Sequence, residues 1–104
     1  MKEIYACLFH QTGTDEEFQS RIPRLMVWLR ELYAGGNLVA CGGGGWNNDT
    51  GGGLTLIAAD TPEAAERLSA GTPMNEIGYT EILQWGVFYG NLDFKELEER
   101  LLTS

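Results

Sequence analysis

The sequence predicts an α+β fold of ferredoxin-like type, a βαββαβ chain whose four strands form one antiparallel sheet, with an extra C-terminal helix. Three observations carry this. Four short apolar runs alternate with two helix-period segments in that order. Each helix segment opens on a recognisable cap, Thr14 with Glu17 and Thr61 with Pro62. The strand runs are apolar at both their odd and their even positions, so both sides of the sheet need cover.

Residues 3–9 (EIYACLF) are apolar and aromatic-rich, which reads as the first strand. Thr14-Asp-Glu-Glu17 is a capping box, in which Thr14 and Glu17 each satisfy a backbone donor that the helix leaves orphaned. Ile22, Leu25, Met26, Leu29, Leu32 and Tyr33 then recur at helical spacing. Pro23 disfavours helix before it, which predicts a separate short helical piece over 15–20. Gly35-Gly36 supplies the residue type that a left-handed cap needs.

Residues 37–41 (NLVAC) and 54–59 (LTLIAA) read as the second and third strands, joined by the flexible hairpin loop GGGGWNNDTGGG. Thr61-Pro62-Glu63 starts a second helix that runs to about Ala70 and is broken by Gly71-Thr72-Pro73. Residues 79–89 (YTEILQWGVFY) form a long fourth strand, and a final amphipathic helix starts at Asp93. The chain therefore reads as one domain over 1–104, in which 91–104 is a helical extension.

Two helices cover one side of a four-stranded sheet. In the first strand Ile4, Ala6 and Leu8 oppose Tyr5, Cys7 and Phe9; in the third Leu54, Leu56 and Ala58 oppose Thr55, Ile57 and Ala59. In the fourth Leu83, Trp85, Val87 and Tyr89 oppose Ile82 and Phe88, so whichever side lacks helices exposes apolar surface. A homodimer through this open sheet face removes both exposed surfaces at once. The competing solution is the C-terminal helix folded over its own sheet.

Net charge is −8 and the seven Lys and Arg are scattered, so no basic patch invites nucleic acid and anionic membranes repel the chain. No run approaches the ~20 apolar residues of a membrane span. Lys2 is followed by Glu3 and no small-residue cleavage site appears, so the first segment reads as the first strand of a cytoplasmic protein. Cys7 and Cys41 lie in separate apolar runs and read as small buried hydrophobes rather than a disulfide or metal pair.

From Pro23 to Gly42 and again from Gly51 to Ile82, the chain resembles the YCII-related (YciI-like) family of dimeric α+β barrel proteins. The carriers are PRLMVWLRELYAGGNLVACG and GGGLTLIAADTPEAAERLSAGTPMNEIGYTEI, the latter with glycines before a strand, a Pro-Glu-Ala-Ala helix start and a Gly-x-x-Glu lead into the last strand. The resemblance implies a homodimer with a small-molecule pocket between sheet and first helix, and acid/base chemistry on a small cyclic or aromatic compound. It also implies that a His of the first helix and an Asp before the Pro of the break do that chemistry. Leu25 and Thr72 stand at those positions, and neither can transfer a proton in that role.

His10 is the single histidine, and it ends the first strand. It reads either as a replacement acid/base group at the pocket mouth or as a partly exposed strand-end residue. One histidine without neighbouring ligands gives no metal site, and no cofactor is expected. The glycine runs lack the Lys-Ser/Thr ending of a phosphate loop. Trp46, at the tip of that loop, serves as a lid over a ligand or as a contact to the partner subunit.

Trp28 and Trp85 are core or cavity wall, and Arg24 and Arg30 lie on a solvated helix face or meet a carboxylate ligand. The expected pocket is thus lined by Tyr5, His10, Leu25, Trp28, Trp46 and Thr72, with His10 as the catalytic candidate. The alternative is a non-catalytic dimeric binding or interaction module that has lost the family's His/Asp pair.

Overall fold

A computed structural model describes residues 2–44 and 51–86. Trp46 and the expected helix over 91–104 lie outside the described residues. The elements run β1 (Glu3–Gln11), α1 (Asp15–Ala34), β2 (Leu38–Gly44), β3 (Gly52–Ala59), α2 (Pro62–Ala70), a 3-10 turn (Pro73–Glu76) and β4 (Gly78–Trp85). The sheet order is β2-β3-β1-β4 and every pairing is antiparallel, which is the ferredoxin-like arrangement. No described helix is long and apolar enough to cross a membrane.

The caps act as the sequence predicts. The Thr14 hydroxyl accepts the Glu17 N–H at 3.1 Å, and the Glu17 carboxylate accepts the Thr14 N–H at 3.0 Å. Those bonds hold the Glu17 carboxyl below the usual carboxylate range, the backbone N–H contributing most. At the other end of α1, Gly36 takes φ 74°. Gly36 N–H then reaches the Tyr33 carbonyl and Asn37 N–H the Leu32 carbonyl, a Schellman ending that needs a residue free of Cβ strain.

The first helix is continuous, so no separate piece over 15–20 exists. Pro23 forfeits one backbone bond, but packing on both sides of it holds the helix together. Phe18 packs on the Phe9, Met74 and Ile77 cluster, while Trp28 and Leu32 are buried in the main core. The glycine runs also differ from expectation. Gly43 pairs with Gly53 and Gly44 with Gly52, so the strands extend through glycines that the sequence assigns to a loop. Backbone hydrogen bonding needs no side chain, which is why strand and glycine run coexist here.

The register sorts the sheet into two faces. Tyr5, Cys7 and Phe9 of β1 point toward the helices with Thr55 and Ile57 of β3 and Ile82 of β4. Ile4, Ala6, Leu8 and His10 point to the far side with Leu54, Leu56, Ala58, Tyr79, Glu81, Leu83 and Trp85. On that far side the central Ile4, Ala6 and Ala58 are buried, whereas Tyr79, Leu83 and Trp85 on the edge strand are 54%, 53% and 42% exposed. Cys7 is buried, but Cys41 is exposed because β2 is the other edge of the sheet.

Candidate functional site

Between α1 and the helix-facing side of the sheet lies a cavity of about 160 Å³. Its apolar walls are Phe9, Phe18, Leu25, Trp28 and Met74. Three local rules deliver them. Strand alternation turns Phe9 inward. Helical spacing places Phe18, Leu25 and Trp28 along one side of α1. The Thr72 hydroxyl accepts the Met74 N–H and so folds Met74 back under the sheet.

The sheet side of the cavity is open because of the glycines. Phe9, Gly53 and Gly43 form one cross-strand row, and Gly42 and Gly52 also line the space. A Cβ on Gly43 would meet nothing within 4 Å, so this position leaves room on the cavity side that a side chain would otherwise take. The sequence holds this signal, but it appears only once the glycines are placed in strand register.

Polar atoms in the cavity are hydroxyls and thiols. Cys7, Cys41, Thr55, Ser69, Thr72 and Thr80 supply them, and no carboxylate, imidazole or cation occurs among the described lining residues. Burial pushes the Cys7 thiol up, opposed by a hydrogen bond to Ser69, so it stays protonated at neutral pH. Cys41 Sγ sits 3.3 Å from Thr55 Oγ1. Cys41 and Cys7 both face Thr55 from opposite sides, two strand spacings or roughly 10 Å apart, too far for a disulfide.

Of the expected lining residues, Leu25, Trp28 and Thr72 come together in this cavity. Tyr5 does not join them. It packs in the main core with Trp28, Leu32 and Ile57. His10 is not at the cavity mouth, because strand alternation sends Phe9 to the cavity and His10 through to the opposite face.

There His10 stacks on Tyr79, with centroids 4.7 Å apart, and its Nε2 lies 2.6 Å from Glu81 Oε1. The carboxylate that meets His10 is thus Glu81, a cross-strand neighbour that sequence spacing does not reveal. Trp28 spends its indole N–H on the Leu68 carbonyl at 3.0 Å and offers the cavity only its ring. Arg24 makes a two-pronged contact with Glu76 at 3.1 and 2.6 Å and so ties α1 to the 3-10 turn beneath the cavity. That contact holds the Glu76 carboxyl below its ordinary value.

No family model matches the chain, and no curated protein matches it. Among solved structures, the chain is similar to SnoaB, a cofactor-independent oxygenase from Streptomyces nogalater. The TM-score is 0.54 at 11% identity, over 86% of this chain and 95% of that one. A point mutant of the same protein gives a TM-score of 0.53 at 12% identity over the same shares. Likeness at this identity shows the α+β fold.

Proposed function

We propose that this chain is a small-molecule-binding protein of the YCII-related kind that works as a homodimer and holds one neutral, single-ring compound between α1 and the sheet. The cavity carries this reading. About 160 Å³ of largely apolar space, walled by three aromatic rings, matches the size at which a dry protein cavity takes up benzene. A ring that bears a full negative charge would meet no cation there, in a chain of net charge −8.

The resemblance gains support from position. Leu25 and Thr72, at the places where the family's His and Asp are expected, line the same cavity from α1 and from the loop before the 3-10 turn. A cavity lies at those positions while the residues standing there cannot transfer a proton, which favours binding over acid/base chemistry. Any proton transfer by His10 belongs to the sheet face that it shares with Glu81. The oxygenase activity of SnoaB is no part of this reading, since that likeness is one of fold.

The homodimer forms through the far side of the sheet. Tyr79, Leu83 and Trp85 make an exposed apolar row on β4, and no described helix packs over it. The one carboxylate of this face among the described residues, Glu81, is paired with His10, which lets a second acidic copy approach. Two free thiols that cannot reach one another suit a reducing, cytoplasmic location.

Thermal unfolding tests the binding claim. A ring at 100 times its Kd stabilises by about 2.7 kcal/mol. Toluene or phenol should raise the melting temperature and benzoate should not. Leu25→Phe, which fills the cavity, should remove the gain. Equal shifts with benzoate, or an unchanged gain in Leu25→Phe, would overturn the reading.

A further inference from the structure

The cavity's hydroxyl groups are not equivalent. Thr80 donates its proton to Asn75 Oδ1 at 2.7 Å. Thr55 shares a hydrogen bond with the Cys41 thiol, and Ser69 is engaged with the Cys7 thiol. Thr72 differs from all three. Its Oγ1 accepts the Met74 N–H at 3.3 Å, and no acceptor among the described residues takes its own proton. The residue is only 9% exposed, so water satisfies that proton poorly.

We infer that the Thr72 hydroxyl is the polar anchor of the cavity and that the bound compound is a neutral planar ring carrying a carbonyl oxygen, which accepts the Thr72 proton. This rests on the ring-binding reading above and narrows its ligand class. A hydroxyl already holding one donor bond presents a proton and one remaining lone pair. A carbonyl ligand uses the proton. A hydrocarbon, or a ligand that only donates, leaves the proton unpaired in an apolar space, and an unmade bond to a buried donor is the costlier outcome. The lone pair left over on Thr72 is a lesser loss, because an oxygen with one bond made is already partly satisfied.

Calorimetric titration of the full chain tests this with acetophenone and α-methylstyrene, in which a CH2 group replaces the carbonyl oxygen. Comparing each ligand across variants cancels their different hydrophobicities. Thr72→Val should weaken acetophenone about tenfold, the effect of one ordinary hydrogen bond, and leave α-methylstyrene within about twofold. Thr72→Ser should retain the wild-type preference.

Val also removes the bond to Met74 N–H, so a second readout on wild-type protein guards against misfolding. The carbonyl stretch of bound acetophenone should fall below its position in an alkane solvent. Equal weakening of both ligands, no weakening of either, or an unshifted stretch overturns the anchor while the ring-binding cavity stands. If neither compound binds wild-type protein, the cavity reading fails and this inference falls with it.

Discussion

Replacing Trp28 by Phe tests how α1, α2 and the cavity wall are joined. The indole is 8% exposed and donates to the Leu68 carbonyl at 3.0 Å. That carbonyl also accepts the Gly71 N–H at 3.2 Å, so Phe does not orphan it, and the lost bond costs about 1 kcal/mol. The second ring of the indole buries roughly 40 Å² more apolar surface than a phenyl group, about 1 kcal/mol at ~25 cal/mol/Å². Together they predict a loss of about 2 kcal/mol, a fall in melting temperature of about 8–16 °C for a domain near this size.

Gly71 sharpens the test. A Cβ there would lie 3.2 Å from Trp28 Nε1 and 3.3 Å from Cδ1, and Gly71 has φ −78°, which Ala accepts. Gly71→Ala should therefore destabilise the wild type and cost less in the Trp28→Phe background, a coupling that only contact produces. Urea unfolding followed by far-UV circular dichroism measures all four proteins. One protein concentration must be kept, because the proposed dimer would make stability depend on it. A loss below about 0.5 kcal/mol in Trp28→Phe, or strict additivity with Gly71→Ala, would refute the packing described.

Three further outcomes are expected. Leu83→Glu places a charge in the exposed apolar row and should convert a dimer to a monomer in sedimentation at micromolar concentration; a wild-type monomer would contradict the dimer. Gly78→Ala puts a Cβ against the His10 carbonyl and within 2.5 Å of the Phe9 ring, and should cost about 3 kcal/mol in urea unfolding, whereas a neutral result would deny the close approach. Glu76 has a folded-state carboxyl lowered mainly by the hydrogen bond from Arg24, so its stabilisation is present above the ordinary carboxylate value and fades as pH falls through the folded one. Glu76→Gln should accordingly flatten the acid side of the stability curve as pH falls below the ordinary carboxylate range, and a parallel curve would remove Glu76 from that role.

The elements were legible where local chemistry decides them. Thr14 with Glu17, Thr61 with Pro62 and the glycine pair at 35–36 each satisfy backbone groups within a few residues, and all three cap the helices in the structure. The sheet's two apolar faces were legible because alternation has a fixed period. Failures came where distant partners decide. Pro23 breaks helix in isolation, but Phe18 and Leu25 on either side of it are anchored by Phe9 and Met74. The strand extensions through Gly42–Gly44 and Gly52–Gly53 depend on pairing between the runs, which composition alone reads as loop.

The site divides along the same line. Leu25, Trp28 and Thr72, to which helix spacing and a resemblance point, line the cavity. Tyr5 and His10 were misplaced relative to the pocket, since a strand's register decides which side each residue faces. Phe9, Phe18 and Met74 were missed because packing residues and cavity walls have the same composition.

The most direct measurement is methyl-resolved NMR of the protein with its Leu and Met methyl groups labelled, titrated with toluene. Ring-current shifts should appear first at Leu25 and Met74, which face the cavity, and saturate at one ring per chain. Shifts confined to Leu54, Leu56 and Leu83 on the opposite sheet face, or none at all, would contradict a ring-binding cavity beneath α1.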